Sequence, residues 1–210
     1  MKERPILFSA PMVQAILAGN KTQTRRVVKL PGIMPRTSFT ITSPDESMIQ
    51  LDDGTFHYLS TAAMSGPYEC PFGKVGDQLW VRETFAAVGN VDPGYLTYRA
   101  TYPKCLPADV KNIPSDIRDA GYRWKPSIHM PRWASRIQLE ITGIRIERLQ
   151  DCSDADAIEE GIDRTNTSIP GYAKARYEKL WESINGSGSW AKNPWVWVIE
   201  FRVIKPQPEK

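Results

Sequence analysis

The chain has 210 residues, 41% hydrophobic and 24% charged, with 27 Lys and Arg against 24 Asp and Glu for a net charge of +3. That balance is ordinary for a globular chain, indicates neither disorder nor a fibrous repeat, and is too mild to announce a polyanion partner by itself, so any basic site has to be local. The length suits one domain over 1–210 with a sizeable core, and three widely spaced cysteines without a CxxC pair argue against a disulfide framework or a zinc knuckle and for a reducing cytoplasm.

Taken in chain order, the start resembles a signal peptide, but Pro5, Pro11 and Gln14 interrupt its apolar run. It divides better into a short strand, Pro5 to Phe8, and an amphipathic helix with Pro11 in its first turn. Val13, Ile16 and Leu17 share that helix's apolar face, and Gly19 ends it. No run reaches the roughly 18 apolar residues that a membrane helix needs. "RRVVKL" predicts a short strand, and Asp53-Gly54, between partly alternating runs, predicts a hairpin. "VGDQLWVRETF" reads as a turn and then a strand, and "YLTYRA" alternates as a strand does. Pro31 to Ser47 and Tyr102 to Trp124 are Pro- and polar-rich and read as loop insertions within the domain, the first reaching toward residue 72.

The clearest strand is "SRIQLEITGIRIERL". Ile137, Leu139 and Ile141 occupy one face, and Ile144, Ile146 and Leu149 follow after a shift of register near Gly143, the mark of a bulge or bend. A helix follows at "SDADAIEEGI", with Ser153 as N-cap, acidic residues in its first turn and Gly161 at its end. A second helix, "GYAKARYEKLWESING", puts Ala173, Tyr177, Leu180 and Ile184 on one stripe. "NGSGSW" is a loop with the composition of a lid. "PWVWVIEFRVI" closes the chain as a strand with Trp195 and Trp197 on one face and Val196 and Val198 on the other, so both faces are expected to be buried. Trp181 and Trp190 also read as core. The pattern predicts an α+β fold, a small curved mixed sheet or barrel with a few helices.

Three stretches carry candidate chemistry. "GNKTQTRR", Gly19 to Arg26, gathers Lys21, Arg25 and Arg26 with two threonine hydroxyls just after a helix. Its readings are a solvated basic turn, an anion-binding loop or one wall of a pocket. "WKPSIHMPRWASR" packs Trp124, Lys125, His129, Arg132, Trp133 and Arg136 into thirteen residues. Such aromatics and cations either stack on bases and hold phosphates or plug and fringe the end of a barrel. Arg82 and Glu83 are adjacent on a strand and so face opposite sides, with Arg82 expected toward the cleft as an anion contact. No acidic cluster has the spacing of a metal site, and no cofactor is expected.

The combination of "ILAGNKTQTRR", "GDQLWVRETF", "RIQLEITGIRIERLQDCSDADAIEEGI" and the terminal "WVWVIEF" resembles the ASCH family of the PUA-like superfamily. "RWKPSIHMPRWASR" and "LWESINGSGSWAKNPWVW" are similar to the longer ASCH proteins of bacteriophages and prophages. The resemblance implies a PUA-like barrel whose cleft handles RNA or a modified nucleoside. Small members of the family include amidohydrolases acting on N4-acetylcytidine with a Lys, a Thr and a Glu, which fall here on Lys21, Thr24 and Glu160; others are RNA-binding modules or ribonucleases. Two alternatives stay open beside catalysis: a non-catalytic RNA-binding module, and a phage accessory factor binding a host protein.

Amide hydrolysis needs a nucleophile, a base, and positive charge where the oxyanion develops. A turn carrying Lys21 and Thr24, three residues apart, is expected to aim both into one pocket. Thr24 either attacks or holds a water. Lys21 is either a base, if burial and Arg25 and Arg26 lower its pKa, or the charged partner of Glu160.

Overall fold

A computed structural model describes residues 1–28, 39–41, 48–51, 56–58, 70–89, 94–108, 113–165 and 169–206. Its spine is strand β10, Trp195–Pro206, which pairs antiparallel with β9, Ile137–Arg148, and on its other edge with β2, Gln23–Val27. On the far side of β9 lies β6, Gln78–Arg82, and parallel to β6 runs β1, Glu3–Leu7, giving a five-stranded mixed sheet in the order β1-β6-β9-β10-β2. Two smaller sheets accompany it. One joins β3, Phe39–Ile41, β4, Met48–Leu51, and β5, Phe56–Tyr58; the other joins β7, Phe85–Val88, and β8, Tyr95–Tyr98. The β4–β5 pairing has the antiparallel register of the expected hairpin, while the Asp53-Gly54 turn itself lies outside the described residues, as does most of the expected insertion at 31–72. The second insertion carries a 3₁₀ turn, Ile117–Ala120, closed by an Asp116–Asp119 capping box.

From Val196 to Ile199 the terminal strand is buried on both faces, as its sequence predicts, while Val203 and Ile204 further on are exposed. On one face Trp197, Ile199 and Phe201 pack with Ile6, Leu79, Ile137, Leu139 and Ile141 and with Val13 and Ile16 of helix α1, Ala10–Leu17. On the opposite face Val196 and Val198 pack against helix α2, Asp154–Glu159, and helix α3, Tyr172–Asn185, through Ala157, Tyr177, Trp181 and Trp190. Alternation along one strand therefore separates two apolar layers. Leu17, expected to share the buried face of α1, is instead largely exposed near the helix end.

The register shift near Gly143 is a bulge. Glu200 pairs with Gly143 and Phe201 with Ile141, which leaves Thr142 as the extra residue. A Cβ at position 143 would meet the Glu200 carboxylate at 2.5 Å, so the carboxylate occupies the space that a side chain would take.

The described ladders do not close. The sheet ends on β1 and β2, and what spans these edges is a side chain: Arg26 Nη2 donates to the Leu7 carbonyl at 2.9 Å. The fold is α+β with an open mixed sheet among the described residues. Among the described residues no helix is long and apolar enough to cross a membrane.

Leu139 sits fully buried at the centre of the first apolar layer. Leu139→Ala is expected to cost about 2–5 kcal/mol, read as a lowered denaturation midpoint with an unchanged slope.

Candidate functional site

The stretch after α1 is shaped by backbone bonds before any charge is considered. Gly19 takes φ +72°, and the amides of Asn20 and Lys21 both donate to the Ala15 carbonyl at 2.8 and 3.1 Å. This swings the chain across to the end of α2, where Lys21 and Glu160 form an isolated antiparallel bridge and the Thr22 amide donates to the Glu159 carbonyl at 2.9 Å. Helix α2 is set in place by Ser153, whose hydroxyl accepts from the Asp156 amide in a capping box. Gly161 then turns the chain at φ +99°. A Cβ there would lie 2.9 Å from the Ala15 Cβ and 3.3 Å from the Lys21 Cβ, so the Glu-Gly pair allows helix α2 to close directly over the Lys21 stem.

Lys21 and Glu160, 139 positions apart, meet as a result. Lys21 Nζ donates to Glu160 Oε2 at 2.6 Å and to the Glu160 carbonyl at 2.8 Å, with the two residues 1% and 3% exposed. Arg25 Nη1 takes Glu160 Oε1 at 3.2 Å, while its Nε and Nη2 donate to Glu147 at 2.9 and 2.6 Å. Arg145 links the same Glu147 to Asp156, at 3.0 and 2.8 Å, and Gln23 Nε2 donates to Asp156 Oδ1 at 3.0 Å. Three carboxylates thus interleave with three cations, which keeps each buried charge partnered. Burial pulls the Lys21 ammonium below its ordinary pKa, against the opposing pull of Glu160. Burial likewise pushes the Tyr177 phenol, which borders Glu160, well above its usual range.

Thr24 does not share a turn with Lys21. Pairing with β10, Thr24 opposite Ile199, draws residues 23–27 into a strand, and alternation sends Gln23 and Arg25 to the carboxylate side and Thr24 and Arg26 to the other. The buried Thr24 hydroxyl accepts from Arg26 Nη1 at 2.8 Å. The Phe8 ring is a common neighbour, 5.8 Å from Lys21 Nζ and 5.3 Å from Arg26 Cζ. Lys21 and Glu160 are therefore in direct contact, and Thr24 joins the group by way of Arg26.

Over this network opens a cleft of about 420 Å³ bordered by Phe8, Arg25, Arg26, Glu160, Tyr177 and Trp181. Helix α3 supplies one wall. Its expected stripe is rotated: Trp181 takes the core position, Leu180 is half-buried, and Ile184, 54% exposed, borders the cleft. The larger apolar area of the indole explains which side chain is drawn inside.

The remaining predicted residues are dispersed. Arg82 donates to the Ile128 carbonyl and lies over the Trp80 ring, and Arg132 pairs with Glu3 at 2.9 Å over the same ring. His129 is exposed, and Trp133 is 74% exposed. Arg136 is buried against Glu83 at 2.9 Å with its guanidinium 4.0 Å from the Tyr98 ring, and Trp124 donates to Asp116 while meeting Tyr102 edge-on. None of these borders the cleft, although Ser127 and Thr84 beside them do. Of "NGSGSW" only the first residue, Asn185 at the end of α3, borders it; Gly188 is tied to Glu182 and Trp190 is buried.

Phe8, Tyr177, Glu147 and Arg145 were not singled out by sequence as site residues. The charges of Glu147 and Arg145 alternate on β9 like solvated positions, and only the pairing of Arg25 with Val198 and of Val198 with Arg145 turns them inward toward one another. Among the described residues no group of three His, Cys, Asp or Glu side chains has the arrangement of a metal site.

Burial raises the Asp156 carboxyl, but hydrogen bonds from Ser153 and Gln23 and the Arg25 charge outweigh it and hold the group well below the usual carboxylate range. A carboxylate depressed in the folded state contributes stability above its unfolded pKa of about 3.9 and loses it as pH falls toward the folded value. The Tm of the wild type is therefore expected to fall more steeply between about pH 5 and pH 2 than that of Asp156→Asn, measured by thermal melts across that range. Comparison of the chain with protein-family models, with curated proteins and with solved structures returns no match.

Proposed function

We propose that the cleft binds a pyrimidine nucleoside, free or within RNA, and hydrolyses an N4-acetyl group from it, on a PUA-like fold of the ASCH kind. The observation that carries this reading is the buried Lys21–Glu160 contact of 2.6 Å beneath a cleft with aromatic walls. Its volume lies within the usual range for small-molecule sites, and the aromatic residues Phe8, Tyr177 and Trp181 border it.

In the proposed reaction Glu160, which borders the cleft, accepts a proton from a water. The water oxygen bonds to the acetyl carbon, the amide C–N bond breaks, and the proton passes to the departing exocyclic amine, giving acetate and cytidine. Arg25, which borders the cleft, supplies positive charge beside the developing oxyanion. Lys21, buried behind Glu160, acts as a positioning residue for that carboxylate. Thr24 acts through Arg26, whose guanidinium it holds at the cleft edge. The buried free thiols Cys70, Cys105 and Cys152 suit a reducing, cytoplasmic setting.

Incubation of purified protein with N4-acetylcytidine is expected to release cytidine. Glu160→Gln is expected to lower kcat by about 10²–10⁴-fold, and also to lower the Tm because Lys21 loses its counter-charge, so kcat is compared at a temperature at which far-UV circular dichroism shows the variant folded. Absence of turnover by the wild type would remove the hydrolytic reading.

A second reading, an RNA-binding module without chemistry, is favoured by one feature: Trp133 and Ile128, 74% and 59% exposed, stand beside Arg82 and Arg132 near the Ser127 edge of the cleft. On this reading the affinity for a short unstructured RNA falls with salt, log K against log salt sloping about −0.7 per phosphate contacted, and Trp133→Ala weakens binding at every salt concentration. A salt-independent affinity would exclude it.

A further inference from the structure

Arg26 differs from the buried cations. Among the described residues these are Lys21, Arg25 and Arg136, and each lies against a carboxylate, at 2.6, 2.6 and 2.9 Å. The half-buried Arg26 has no carboxylate of the described residues within ion-pair distance and is held by neutral oxygens instead: Nη1 donates to Thr24 Oγ1 and the Arg25 carbonyl at 2.8 and 3.1 Å, and Nη2 to the Leu7 carbonyl at 2.9 Å. A guanidinium has five N–H donors, so the Nε hydrogen and one Nη2 hydrogen are left without an acceptor among the described residues. The side-chain nitrogens and oxygens that are fully enclosed without a partner belong to other residues, which leaves the Arg26 Nε open to solvent. Leu7, the acceptor from Nη2, is 42% exposed, and Leu7, Phe8, Ser9 and Arg26 all border the cleft. A fixed positive charge with unused donors and no counter-ion thus stands at the cleft edge. Helix α1 starts at the same edge. Ser9, its N-cap, and Met12 border the cleft, the Ser9 hydroxyl makes no capping bond, and no acidic residue stands in the first turn, so no side chain offsets the positive end of the helix.

We infer that Arg26, with the N-terminal end of α1 beside it, forms a phosphate subsite, so that the ligand of the cleft is a nucleotide, as a monophosphate or within an RNA chain, in preference to the bare nucleoside. The inference rests on the nucleoside reading of the cleft and names the substrate class more closely. A phosphate suits these donors because its several oxygens accept from a guanidinium and from helix amides at once. Arg25 is not free for this task, since Glu147, Asp156 and Glu160 already surround it. Thr24 and the Leu7 carbonyl hold the Arg26 guanidinium in place, one from each side of the gap between β2 and β1.

The test titrates cytidine, cytidine 5′-monophosphate and a cytidine trinucleotide lacking terminal phosphates into wild type, Arg26→Gln and Ser9→Asp by calorimetry at several salt concentrations. Wild type is expected to bind at least one of the two phosphate-bearing ligands about 10- to 100-fold more tightly than cytidine, as befits charge-assisted hydrogen bonds, with the advantage shrinking as salt rises. Which of the two gains tells a terminal monoester from a chain diester. Arg26→Gln is expected to lose the advantage. Ser9→Asp guards against a loss that merely reports unfolding: Ser9 is exposed and Asp is a good N-cap, so the fold is kept, while the new carboxylate competes for the subsite and lowers affinity for the phosphate-bearing ligands but not for cytidine. Equal affinities for all three ligands in the wild type, or an advantage that either variant leaves unchanged, would overturn the inference and leave the nucleoside reading standing. No binding of any of the three by the wild type would overturn both.

Discussion

The contact between the Lys21 ammonium and the Glu160 carboxylate organises this molecule because both charges are buried and neither is tolerable alone. An ammonium removed from water needs a close anion and further acceptors, and Glu160 provides a carboxylate oxygen and its own carbonyl. The same carboxylate must then satisfy its second oxygen, which brings in Arg25, and Arg25 brings in Glu147 and Asp156. Each group is present because its neighbour would otherwise be a desolvated charge. The network fastens the end of α2 to the start of β2, and these two segments form the floor of the cleft.

The proposed function and the stability of the fold draw on the same residues. A site of buried, mutually partnered charges is preorganised: its dipoles and charges are already oriented before a ligand arrives, so little reorganisation accompanies binding. Against that rigid floor the α3 wall is apolar and partly exposed, with Leu180 and Ile184 beside the cleft. The floor therefore supplies charge and the wall supplies shape, a division suited to a flat ligand with polar edges.

The sequence made much of this legible. Gly19 and Gly161 punctuate as expected, Ser153 caps α2, the bulge appears one residue from Gly143, and both faces of the terminal strand are buried from Val196 to Ile199. The family resemblance places Lys21 and Glu160 together, and they are in contact in the structure. Other readings missed for definable reasons. The turn imagined for Lys21 to Thr24 is a strand because β10 offers it a ladder, and a ladder with a distant strand cannot be seen in eight residues. The basic-aromatic loop divides its cations between a buried pair, Arg136 with Glu83, and exposed positions, because acids distant in sequence claim them. The α3 stripe rotated because Trp181 outcompeted Ile184 for the interior.

What the sequence determined by itself was local: where helices start and stop, which strands alternate, and where one strand must bend. These follow from caps, glycine conformations and side-chain periodicity, which act between residues a few positions apart. What only the tertiary structure decided was which charges lose their water. Burial is a property of whole layers coming together, and it converts Lys21, Arg25 and Glu160 from three ordinary surface residue types into one enclosed network, because outside water each of them must find its counter-charge within the protein.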